Sequence, residues 1–203
     1  MTRSPTVGPA RAPGPADLRA AWEHGQRLAT APGAVHHWCD GEHGWMLRAG
    51  LDRTLAPVLL PDADSSAGFS RFDHLGPRTA RDLLRRLPPD YLAAHRQNDG
   101  PTIGAVLRAV VAHPGRVLAH GYVVGPLRCD ERVTVEGVLL RSDDDLVVAS
   151  HCSPWCQCDV LGRLAAACGV DDALVPAHEV TRTAGPQGPP AGVAEHWYRL
   201  WWD

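Results

Sequence analysis

Lysine is absent from this chain of 203 residues, so all twenty basic side chains are arginine. Isoleucine occurs once, as Ile103, and asparagine once, as Asn98. These gaps belong together, because all three residues use AT-rich codons and a GC-rich genome depletes them. The arginines therefore carry no argument for phosphate binding. The net charge is −3, and no arginine run exceeds the pair Arg85–Arg86, so no nucleic-acid footprint is expected.

Long apolar runs are missing too. No stretch approaches the eighteen residues that a membrane helix needs. The opening "MTRSPTVGPARAPGPADLR" has no apolar core, so no secretory signal is expected and a cytoplasmic location is the default. Several catalytic signatures are lacking: G-x-S-x-G, G-x-x-x-x-G-K-[ST], a complete G-x-G-x-x-G and the deaminase H-x-E with P-C-x-x-C. Adjacent carboxylates such as Asp130–Glu131 and Asp171–Asp172 suit turns and a helix start better than acid–base work.

What is present reads as one α+β domain. Residues 1–14 are rich in proline with little to bury, and are expected to form a disordered leader. Residues 15–182 form the domain, 183–192 a Pro/Gly linker, and 193–203 an aromatic segment that folds back. About five helices are expected. The first follows Pro15, with Leu18, Ala21, Trp22 and Leu28 on one stripe. Residues 54–61 read as a short strand or core segment, and 62–77 as loop. A helix from Arg78 to Leu87 buries Leu83, Leu84 and Leu87; a short one follows Pro88–Pro89. Thr102 is placed to cap a helix with the stripe Ile103, Val106, Leu107, Val110 and Val111. The Val-rich runs 116–125, 131–141 and 146–150 predict a three-stranded antiparallel meander. A last helix over 159–168 has Val160, Leu161, Leu164 and Cys168 at helical spacing and stops at Gly169.

Chemistry concentrates in "HCSPWCQCDVLGRL", His151 to Leu164. Cys152, Cys156 and Cys158 have the spacing C-x3-C-x-C on a loop that runs from a strand end into a helix. Such a loop can aim several thiolates at one point, and a helix N-terminus stabilises a thiolate. A tetrahedral zinc on Cys152, Cys156, Cys158 and His178 is the metal reading. Other fourth ligands are Cys129, His36, His37 and Cys39, with His151 as a substitute. A redox pair between Cys156 and Cys158, or three thiols packed for their bulk alone, are the alternatives. Cys168 belongs to the core by periodicity.

A second cluster, "HHWCDGEHGW", gathers His36, His37, Cys39, Asp40, Glu42 and His43. It is either a polar loop over two tryptophans or half of a site shared with the 151–158 loop. The chain closes on Trp197, Tyr198, Trp201 and Trp202. These either pack on the domain or dock a protein partner. Three functions follow: a cytoplasmic accessory protein with a structural zinc, a small metal- or thiol-dependent enzyme using the cysteines with His36, His37 or His178, and a protein–protein adaptor working through the aromatic terminus.

Overall fold

A computed structural model describes residues 15–34, 43–60, 68–149, 155–186 and 195–203. The expected leader, most of the His36–His43 cluster and most of the 183–192 linker lie outside them. The chain divides into two compact units. The first comprises residues 1–71 and 123–132, the second residues 72–122 and 133–203. The fold is α+β, with seven helices and a five-stranded antiparallel sheet among the described residues. None of these helices is long and apolar enough to cross a membrane.

The first unit is helical. Helix α1 spans Pro15–Ala29, α2 Trp45–Arg48 and α3 Leu51–Leu55, and the three pack on one another. On α1, Leu18 and Trp22 are buried as the stripe predicts, but Leu28 is half in solvent and Ala29 takes the inward place. At 100° per residue, position 29 returns to within about 20° of Leu18, whereas position 28 points about 80° away. Residues 51–55 are helical where a strand or core segment was expected to begin at 54. The separation of Leu51 and Leu55, both fully buried, is one helical turn, and Gly50 at φ +70° sets this helix off from α2.

Helix α2 has no cap of its own, because Gly44 precedes it. Glu131 supplies one from a distant part of the chain. Its two carboxylate oxygens accept the N–H groups of Gly44 (2.5 Å) and Met46 (2.7 Å), and its carbonyl accepts the Trp45 indole N–H. Burial pushes the Glu131 carboxyl up in pKa, against the opposite pull of these donors.

The second unit holds most of the sheet and four helices. Strand β1 covers Phe69–Leu75, β2 Val117–Val124, β3 Arg132–Ser142, β4 Glu179–Thr183 and β5 His196–Trp201. Their order is β1-β2-β3-β5-β4. β1 falls where loop was expected. Its alternation of buried Ser70 and Phe72 with exposed Phe69 and Arg71 is a strand pattern hidden by polar residues. Helices α4 (Pro77–Arg86), α5 (Pro89–Ala94) and α6 (Ile103–Ala112) pack together. Thr102 caps α6 by accepting the Ala105 N–H, and its hydroxyl donates to Asp172 at 2.6 Å.

The predicted meander is corrected at its third strand. Residues 145–149 form no strand, and β5 lies beside β3, with Leu140 opposite Tyr198 and Val138 opposite Leu200. The reason is chemical. The Tyr198 hydroxyl accepts the Leu146 N–H (2.6 Å) and donates to the Leu146 carbonyl (3.1 Å), so that backbone finds its partners in a side chain. β5 also brings Trp197, Tyr198 and Leu200, which bury far more apolar area than "LVVAS" could. β4 then extends the sheet through residues 179–183, the last of which had been assigned to the linker.

Candidate functional site

Past β3 the chain is fixed twice. Leu146 is held by Tyr198, and Val147 is held by Gln157. The Val147 N–H donates to the Gln157 side-chain carbonyl, and the Gln157 N–H returns a bond to the Val147 carbonyl, both at 2.8 Å. Gln157 is the residue between Cys156 and Cys158, so this clamp fixes both cysteines in space. The two are joined as a disulfide and are half-buried. Beside them Trp155 is 82% exposed and Val147 57% exposed, which leaves two large apolar side chains facing water at the disulfide.

Helix α7 (Cys158–Ala167) starts at the second cysteine. Gln157 is its N-cap residue but makes no capping bond, because its side chain is engaged by Val147. The opening amides of α7 are answered instead by the Gln157 carbonyl, which accepts the Val160 N–H at 3.0 Å, and by the Asp159 carboxylate. Asp159, in the same turn, is tied to Arg163 at 2.7 Å, and that hydrogen bond lowers its pKa.

Cys158 opens onto a pocket of about 370 Å³, lined by Ala149, Cys158 and the consecutive residues Ala177, His178, Glu179, Val180 and Thr181. The last three belong to β4, an end strand of the sheet. His178 is exposed, and its Nδ1 accepts the backbone N–H of Asp203 at 3.0 Å. A ring nitrogen that accepts is bare, so in the neutral imidazole the proton sits on Nε2, which is the donor.

Two of the four metal ligands expected from the sequence, Cys158 and His178, therefore line one pocket, and Cys156 is bonded to the first of them. Cys152, along with His151, lies outside the described residues, as do His36, His37, Cys39, Asp40 and Glu42. Among the described residues no group of three His, Cys, Asp or Glu side chains is arranged to hold a metal. Cys129 is disulfide-bonded. Cys168 is a buried free thiol at the end of α7, and burial raises its pKa. His43 is engaged through Nδ1 with the Pro126 carbonyl at 2.9 Å.

The aromatic terminus is built into the sheet. Trp197, Tyr198 and Trp202 are buried and Trp201 is half-buried. Sequence reasoning missed Gln157 and the β4 edge. Glutamine between two cysteines gives no signal until its partner segment is known. β4, with only Val180 apolar among Glu179–Thr183, carries no hydrophobic pattern.

No protein-family model matches this chain, and no curated protein or solved structure matches it either.

Proposed function

We propose that the chain is a thiol-dependent enzyme of the thiol–disulfide exchange class, with Cys156 and Cys158 as its working pair. The observation that carries this is a disulfide two residues wide that opens onto a pocket at a helix start. A bridge over so short a loop has little structural purpose. Loop-closure entropy assigns it about 1.5 kcal/mol, half the value for a fifteen-residue loop. Its accessibility beside the pocket suits a bond that is made and broken.

The roles follow from position. Cys158 lines the pocket, so its sulfur meets an incoming thiolate. That thiolate bonds to Cys158, the Cys156–Cys158 bond breaks, and Cys156 leaves as a thiolate that takes a proton from solvent. A second substrate thiolate then attacks the mixed disulfide and releases Cys158. The substrate dithiol loses two electrons and becomes a disulfide, while the protein pair gains them. We place the reaction in the cytoplasm, where reducing conditions favour a cycling pair over a permanent bridge.

A zinc site is the second reading, that of an accessory protein, and the shared pocket of Cys158 and His178 favours it. Zinc on Cys152, Cys156, Cys158 and His178 would require the pair reduced and His178 released from Asp203. A trapping experiment separates the two. Reduced Cys156→Ser, exposed to oxidised glutathione, should hold a lasting glutathione adduct on Cys158, whereas wild type should resolve it. Absence of the adduct, with about one equivalent of zinc bound to reduced wild type and displaced only by thiol reagents, would establish the metal instead.

A further inference from the structure

We infer that the substrate of this centre is an extended, positively charged polypeptide segment bearing cysteine thiols, which docks along the free edge of β4 as an added strand. The inference rests on the exchange reading above and names its substrate class.

The pocket is shaped by a strand. Five of its seven lining residues are consecutive, Ala177 to Thr181, so the space runs along a backbone and is not a hole among side chains. Among the described residues, β4 pairs with β5 and has no partner on its other side. Alternate residues of such an edge leave N–H and C=O groups without a ladder partner, and the ligand whose backbone matches that row is another extended chain. Five residues of strand span about 16 Å, so the groove accepts a segment of about that length. Cys158 lines the same groove, where a thiol on the added chain would meet it.

The charge around the edge selects the sign of the segment. Glu179 and Asp203 are both exposed, and among the described residues neither side chain has a basic partner. Of the arginines nearby, Arg182 pairs with Asp145 at 2.6 Å and Arg163 with Asp159 at 2.7 Å, while Arg199, opposite Thr181, donates to His120 and lies over the Trp201 ring. Arginine or lysine beside the substrate cysteine would answer the two carboxylates. Trp155 and Val147, exposed on the Cys156 side, offer apolar contact to the remainder of the segment.

The test uses the full chain with its pair oxidised, and reads reduction of Cys156–Cys158 by four thiol probes. These are reduced glutathione, a nine-residue peptide with one central cysteine flanked by arginines, the same peptide with alternate backbone amides N-methylated, and the same peptide with glutamates for arginines. Docking raises the local thiol concentration, so the arginine peptide should react about tenfold or more faster than glutathione at equal thiolate concentration. N-methylation, which removes strand pairing, should return the rate to that of glutathione. The Glu179→Lys variant should reverse the preference between the arginine and glutamate peptides. Equal rates for all peptides and glutathione would overturn the docking while leaving the exchange reading intact. Failure of every probe, glutathione included, would overturn the exchange reading itself. Protection of β4 by self-association, seen as a dimer in sedimentation at the assay concentration, would assign the edge to a second copy and overturn the inference.

Discussion

Gln157 places two sulfurs by giving its amide carbonyl and its backbone N–H to a single residue, Val147. The chemistry at this scale depends on which thiols can reach water. Cys168 ends the helix that Cys158 begins, but it is buried, and its thiol is pushed up by burial. In native protein treated with reductant and then iodoacetamide, Cys158 should alkylate rapidly and Cys168 only on unfolding. Labelling of the two at one rate would remove the distinction. Glu131 gives a second residue-scale prediction. Its folded pKa is raised above the ordinary carboxyl value of 4.5, so the folded state keeps its proton to higher pH than the unfolded chain does. Its stabilising contribution is therefore fully present below 4.5 and is lost as pH rises through the folded value. Urea midpoints measured across that window should fall with pH in wild type and flatten in Glu131→Gln. That variant should also be less stable by about 1–3 kcal/mol, because one of two buried amides loses its acceptor.

The elements differ in how openly the sequence declares them. Helix α6 was legible to its cap: Thr102 accepts the Ala105 N–H, and Ile103, Val106, Leu107 and Val110 are buried. Thr102→Val should cost about 1–2 kcal/mol in thermal or urea unfolding, since it strips both the cap and the Asp172 contact. A smaller loss would mean that Asp172, through the Thr102 N–H it also accepts at 3.0 Å, holds the helix start alone. Gly104 sits where α6 meets α5, and a Cβ there would overlap the Leu92 carbonyl oxygen. Gly104→Ala should destabilise by about 1–3 kcal/mol despite alanine's better helix propensity. The strands were harder to read. β1 interleaves Ser70, Arg71 and Asp73 with its apolar residues, and β4 is nearly all polar, so neither shows the alternation that marks a half-buried strand. The third meander strand was misplaced because "LVVAS" has strand composition while its backbone partners are Tyr198 and Gln157, which lie far along or beyond the segment. Of the candidate site, the cysteine spacing could be read from sequence, whereas the shared pocket of Cys158 and His178 belongs to the fold. The disulfide and the strand-lined groove depend on pairings that a linear reading does not contain.

At the scale of the whole molecule, the last residues are structural. β5 lies between β3 and β4 and carries Trp197, Tyr198 and Leu200 into the interior. Removing residues 196–203 should abolish cooperative unfolding and give insoluble protein, and would also orphan β4. A truncated chain that stays soluble, with an unchanged melting transition, would return these tryptophans to a docking role. The same placement ties the aromatic terminus to the proposed centre, since Tyr198 holds Leu146, one residue before the Val147–Gln157 clamp, and the Asp203 N–H fixes the tautomer of His178. The central claim is that Cys156 and Cys158 form a pair that changes state under biological redox conditions. The most direct measurement is to equilibrate the whole chain in glutathione buffers spanning reducing to oxidising, quench with acid, alkylate, and follow the Ser142–Arg163 peptide by mass spectrometry. The account predicts a reversible transition between the dithiol and the Cys156–Cys158 disulfide within the span of glutathione potentials, roughly −300 to −180 mV. A peptide that keeps one state in every buffer, whether oxidised and inert or reduced and bound to metal, would contradict it.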